Sequence, residues 1–176
     1  QTELKNKGVS PVDLFLFFGW FKNFLNRGND LHHLFGWLQI EKVIEGSENI
    51  KDFLKEVNIE HPHGYGDESK ATNNTIYIGK RNLEIQKKTT SLKGHGLFKH
   101  THKDLILTES SKTRSRWKLP DEYFLNSENL FLNRLKWEEE ENCRIFYKGF
   151  GQEFILNAEE NPKISDWATQ LIQTHG

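Results

Sequence analysis

Two aromatic stretches, DLFLFFGWF at residues 13–21 and HHLFGWLQI at residues 32–40, constrain this chain most. Each carries a Gly-Trp pair, in a chain that is only 35% hydrophobic over 176 residues. The first follows the turn cluster GVSPVD and shows little polar alternation, which predicts a strand buried on both faces. The second alternates after Gly36, with Trp37, Gln39, Glu41 and Val43 on one side and Leu38, Ile40 and Lys42 on the other. It reads as a strand of mixed burial. Residues 14–21, the longest apolar run, fall well short of the roughly 20 needed to span a bilayer, and no signal-peptide pattern opens the chain. A soluble, cytoplasmic protein is the expectation.

Further along, SENIKDFLKEV has Ser47 as a cap and Ile50, Phe53, Leu54 and Val57 at helical spacing, so it predicts a short helix. A long turn-rich loop follows, and then TIYIG, a short β-branched strand. DLILT is the clearest of the next short β segments. RSRWKLPDEYF is broken by proline, and the acidic run at residues 138–142 reads as a solvated edge. RIFYKGF and QEFIL, separated by Gly151, suggest a hairpin or one bent strand. NPKISDWATQLIQ closes the chain as a helix with Ile164, Trp167, Ala168, Leu171 and Ile172 on one face. Several short strands with two helices at non-alternating positions argue against a doubly wound parallel sheet. The expected class is α+β: a curled, mostly antiparallel β-barrel with flanking helices, in a single domain over residues 1–176. The chain contains no methionine, and an N-terminal segment preceding Gln1 is expected to be missing from it.

Lys and Arg total 24 against 25 Asp and Glu, a net charge of -1. This argues against a broadly basic surface that coats nucleic acid, so any such contact is expected to be local. The single cysteine, Cys143, rules out an internal disulfide and a cysteine-based zinc cluster, and its strand-like surroundings suggest a buried, inert thiol. His61 and His63, two apart, aim to one side of an extended segment, and His32, His33, His100 and His102 widen the choice of metal ligands. No third ligand stands at helpful spacing. Capping, backbone bonding or contact with a polar ligand is the alternative, and no metal or cofactor is expected.

Trp20 is expected in the core. Trp37, with the polar Gln39 on its strand face, divides evenly between core and a ring on which a base stacks. Asn73 and Asn74 supply two amides before a strand, either for binding or for an Asx turn. KTRSRWKLP gathers Arg114, Arg116 and Lys118 around Trp117 and Ser115, able to hold phosphate by charge and a base by stacking, or else forming a solvated strand face. GFGQEF brings Gln152 and Glu153 after two glycines, as a carboxylate aimed into a cleft or as a bulged hairpin. No nucleophile elbow, P-loop or dinucleotide fingerprint is present.

Taken in order, GVSPVDLFLFFGWF, HHLFGWLQIEKVI, HPH, NNTIYIG, SRWKLP and GFGQEFIL, closed by a tryptophan-bearing helix, resemble the third class of nucleotide-modification-associated domains, found in bacteria and their phages. The resemblance runs along nearly the whole chain. It implies a role in base modification or in handling modified bases, with a polar site drawn from His33, Gln39, His61, His63, Asn73, Asn74, Ser115, Trp117, Gln152 and Glu153. Val12 departs from the family pattern, in which a glycine commonly precedes the matching aspartate. A more distant fold-level likeness is to PUA-like barrels that read methylated bases.

The resulting expectation is a protein that recognises or processes a modified base in DNA, within a base-modification or phage-defence system. Trp37 or Trp117 stacks the base, Gln39 with Asn73 or Asn74 reads its edge, and Arg114, Arg116 and Lys118 hold the phosphate. His61 or His63 with Glu153 transfers a proton if chemistry occurs. The rivals are a metal-assisted nuclease or nucleotide hydrolase built on His61 and His63, and a non-catalytic partner-binding subunit.

Overall fold

The computed structural model describes residues 2–22, 28–65, 73–127, 130–133, 135–147 and 153–176. A short helix, α1 (Thr2–Asn6), precedes strand β1 (Leu14–Phe21) and the long strand β2 (Leu31–Glu45). Then come α2 (Ser47–Glu56), β3 (Thr75–Gly79), β4 (Asn82–Ile85), β5 (Lys88–Lys93) and β6 (His95–Leu97). The chain ends with β7 (Arg116–Lys118), α3 (Asp121–Phe124), β8 (Arg144–Phe146) and α4 (Lys163–His175). The sheet order is β1-β2-β3, with β6 also on β2, and β4-β5 and β7-β8 are separate two-stranded pairs. The α+β class holds. The strands described do not close into a barrel, because the pairing is distributed over three separate sheets.

The chain folds into two compact units, one of Gln1–Phe15 with Leu38–His95 and the other of Leu16–Trp37 with Gly96–Gly176. In the first, α2 lays Ile50 and Leu54 against Ile44 and Ile76, with Phe53 and Ile78 beside them. The predicted i, i+4 spacing explains this face. Gly46 at φ 87° occupies the cap position and no side chain caps the helix; Ser47 instead accepts a hydrogen bond from Asn74 at 3.2 Å. Strand β3 runs antiparallel to β2 from Ile40↔Gly79 to Glu45↔Thr75, with a bulge between Ile40 and Lys42. Gln86 and Lys87, at φ 48° and 64°, form the two-residue loop of the β4-β5 hairpin, where both positions must be left-handed for the strands to meet.

In the second unit, β7 and β8 pair antiparallel through Arg116↔Phe146, Trp117↔Ile145 and Lys118↔Arg144. Helix α4 buries Ile164, Trp167, Ala168, Leu171 and Ile172, the face its spacing predicts. The Trp167 ring meets Phe124 edge-on at 5.2 Å. Two expectations are corrected here. Strand β1 is not enclosed on both faces: Phe17, Trp20 and Phe21 are exposed. DLILT begins in a 3-10 turn at Lys103–Leu105 and continues as single β-bridges at Ile106 and Thr108, because the His102 side chain accepts from Asp104 N and caps that turn. Among the described residues, no helix is long and apolar enough to cross a membrane.

Candidate functional site

Four rings of the second unit gather around Trp117. Phe18 stands edge-on to it at 4.9 Å, Phe154 lies at 4.4 Å, Tyr147 is parallel within 6° at 5.7 Å, and His32 is perpendicular at 5.5 Å. Trp117 and His32 are buried, whereas Phe18, Tyr147 and Phe154 are half-buried. Edge-to-face geometry suits the aromatic quadrupole. Insertion of a base between the parallel Trp117 and Tyr147 rings would need about 7 Å, twice the carbon contact distance. At 5.7 Å that gap is closed.

A buried indole N–H requires an acceptor. Trp117 Nε1 donates to His32 Nδ1 at 2.9 Å and to the Arg114 carbonyl at 3.2 Å. Because indole can only donate, His32 Nδ1 must carry its lone pair, which leaves His32 neutral with any proton on Nε2. Burial, and then the nearby Arg114 charge, lowers the His32 pKa in keeping with that tautomer. Thr108 completes the link: its hydroxyl accepts from His32 N at 2.8 Å and donates to the Arg114 carbonyl at 3.1 Å.

The Arg114 backbone is thereby anchored while its side chain extends over Trp20, with the guanidinium carbon 4.1 Å from the ring centroid. Lys22 also lies over that ring, at 5.6 Å, and Trp20 Nε1 donates to Asp30 at 2.8 Å. Trp20 is 50% exposed and Trp37 only 4%. The core assignment of Trp20 is therefore corrected. Trp37 is enclosed by Phe98 at 5.0 Å and by Gly96 and Gly176, where an added Cβ would come within 2.6 and 2.8 Å of the indole. Trp20 lies near the end of β1, and the cationic side chains of Lys22 and Arg114 over its ring leave it half exposed.

Two other cations of KTRSRWKLP, Arg116 and Lys118, are engaged. Arg116 Nη1 donates to both carboxylate oxygens of Glu138 at 2.6 Å, and Lys118 pairs with Asp121 at 3.3 Å. Among the described residues, Arg114 has no carboxylate partner. Ser115 is half-buried and accepts from Tyr147 N through its carbonyl at 2.8 Å. His33 is buried with Nε2 lacking a hydrogen-bond partner among the described residues, and burial lowers its pKa. Phe21 presents to its ring at 5.6 Å.

In the first unit, the fold saturates the amide of Gln39 and engages those of Asn73 and Asn74. Gln39 is buried; its Nε2 donates to the Val12 and Glu84 carbonyls at 3.0 and 2.9 Å, and its Oε1 accepts from Glu84 N at 2.6 Å. Asn74 donates to Ser47 and to the His63 carbonyl at 2.9 Å, and Asn73 donates to Thr2 at 2.8 Å. His61 Nδ1 accepts from His63 N at 3.3 Å and so caps a 3-10 turn, with the two rings 5.2 Å apart. His63 Nδ1 is buried without a partner among the described residues.

Glu153 belongs to the second unit, where its carbonyl accepts from Asn133, and it is half-buried. Gln152 lies outside the described residues. Cys143 is buried, and burial pushes its thiol up to about 11, so it stays protonated near neutrality. Sequence reasoning missed Phe18, Tyr147, Phe154 and Thr108 as parts of this site and weighed His32 only as a metal ligand. The one local signal was an indole in a β segment, which needs an acceptor that the sequence does not identify.

No curated protein matches this chain, and no solved structure matches it. A family model does match, over residues 1–157, and a match of that extent settles membership. The chain belongs to the nucleotide modification associated domain 3 family, and its role is associated with nucleotide modification.

Proposed function

We propose that the second unit recognises a nucleotide, or a base within nucleic acid, on the surface formed by Trp20 and Arg114 above the Trp117 cluster. The observation that carries this reading is Arg114, a cation with no carboxylate partner among the described residues, stacked on a half-exposed tryptophan. A guanidinium so placed can donate two parallel hydrogen bonds to a phosphate, while an exposed aromatic face stacks a base at about 1–3 kcal/mol. Phe17 and Phe35, each 38% exposed and stacked 6.1 Å apart, extend the aromatic surface. Trp117 and His32 then act as a rigid floor that sets the position of Arg114, and a modified base in DNA is the ligand class the family membership favours. The PUA-like comparison and a setting in base modification or phage defence belong to the same proposal. Trp37 and Gln39 have no part in it.

The test is a binding screen across modified nucleotides and short oligonucleotides with wild type, Trp20→Ala, Arg114→Ala and Arg116→Ala. The expected result is binding that the first two substitutions weaken and the third leaves within a few-fold. Binding that is indifferent to Trp20 and Arg114, or no binding with recovery of a protein partner instead, refutes it.

A further inference from the structure

The second unit also brings together three side chains that the proposed nucleotide surface does not use: His102, Asp104 and His175. Asp104 Oδ2 lies 3.1 Å from His102 Nδ1 and 3.3 Å from His175 Nε2, and all three ligand atoms fall within 4.8 Å of one another. The imidazole rings face each other at 4.6 Å, tilted by 30°. We infer that these residues form a site for one divalent transition-metal ion of the zinc type, held by two imidazoles and one carboxylate.

Distance supports this first. With metal–ligand bonds of about 2.0–2.1 Å, neighbouring ligand atoms of a tetrahedron stand about 3.3–3.4 Å apart. Two of the three edges already have nearly that length. The donor set supports it next. His102 Nδ1 lies 3.3 Å from the Asp104 N–H, which needs its lone pair, and also faces the Asp104 carboxylate, which needs a proton there. No single protonation state of Nδ1 serves both neighbours. A cation shared by the three ligand atoms satisfies the carboxylate and both imidazoles, which then all contribute lone pairs, and the long 3.3 Å contact from the Asp104 N–H gives way to it.

The scaffold favours a cation as well. His175 is the last residue of α4, a helix of 13 residues, and a helix C-terminus attracts positive charge. The helix is fastened by its buried Leu171 and Ile172, and the His102–Asp104 turn by the fully buried Leu105. Both elements therefore hold their ligands against packed side chains. Lys99, Lys103 and His100 are nearby in sequence and exposed, so solvent screens their opposing charge. The His175 side chain is 13% exposed, against 45% and 47% for His102 and Asp104. Three protein ligands leave a fourth tetrahedral position, and that exposure directs it toward water. Such a position can hold a bound water or a phosphate oxygen.

His102 and Asp104 lie within residues 1–157, where the family model matches, but His175 lies beyond them. The site is independent of the Trp20–Arg114 surface and is distinct from the His61–His63 pair.

The full chain, stripped with chelator, is titrated with Zn²⁺ and separately with Co²⁺. One equivalent of each is expected to bind, Co²⁺ giving the visible absorption of a four- or five-coordinate ion, with a rise in melting temperature. His102→Ala, Asp104→Asn and His175→Ala should each weaken Zn²⁺ binding at least tenfold, and His61→Ala less than twofold. Should His175→Ala fail to fold by circular dichroism, His102→Ala on the exposed turn decides the matter. Binding of less than one equivalent, or affinity unchanged in both His102→Ala and Asp104→Asn, overturns the site. Trp20→Ala should leave metal binding intact, so loss of nucleotide binding and loss of metal binding are told apart.

Discussion

Trp20 and Trp37 each follow a glycine in a neighbouring strand, yet Trp20 is half exposed beneath a guanidinium while Trp37 is sealed by Phe98 and two glycines. The same contrast separates polar residues. Gln39 and Asn74 are buried with their amides bonded to the protein itself, whereas Trp20 keeps half its surface open beside the Arg114 side chain. A ring or an amide is available to a ligand only if the fold has not already used its surface or its hydrogen bonds. Residue type alone therefore misidentifies the site.

Trp37→Ala should produce the largest effect, a loss of about 3–5 kcal/mol in unfolding free energy from the transfer and cavity terms. Trp20→Ala should cost under about 1 kcal/mol, as for side chains away from the core. Chemical denaturation checks both, and comparable losses at the two positions would erase the distinction. Gln39→Ala comes next, since it leaves the Val12 and Glu84 backbone groups without partners; about 2–3 kcal/mol should go. Nucleotide affinity of the protein that remains folded should not change, and a selective affinity loss would restore Gln39 as a base reader.

On the ligand side, Trp20→Ala should weaken nucleotide binding by about 1–3 kcal/mol, the value of one stacked base. Arg114→Ala should weaken it and also lower the dependence of affinity on salt by about one phosphate contact. Arg116→Ala should do neither, because its charge is already paired with Glu138. Fluorescence titration at several salt concentrations distinguishes the two arginines.

The smallest effect is the pH response. His32 and His33 titrate below their ordinary range when folded, so between about pH 6.5 and their lowered values the unfolded chain binds protons that the folded chain refuses. Stability is full above that window and falls as pH drops through it. Thermal melts from pH 7.5 to 5 should show the decline, and His32→Gln should flatten it. A stability that rises on acidification would contradict the neutral His32 that accepts from Trp117.

Elements governed by local spacing were legible in the residues alone. The buried stripe of α4, the core face of α2 and the strand β3 depend on side chains within a turn or two of one another, and the structure places them where periodicity predicts. The β-favouring composition of DLILT predicts a strand, but His102 accepting from Asp104 N turns its start into a 3-10 bend. Nothing in a β-favouring composition reveals a side chain that competes for the backbone.

The order of motifs along the chain was also sufficient to place it in its family, because several weak patterns in one sequence order are jointly specific. Tertiary structure alone decided which tryptophan stays open, which amides are saturated, and that His175 lies beside a carboxylate 71 residues away. Secondary structure responds to neighbours in the sequence, whereas exposure, hydrogen-bond partners and ligand sets are determined by chain segments that meet only when the protein folds.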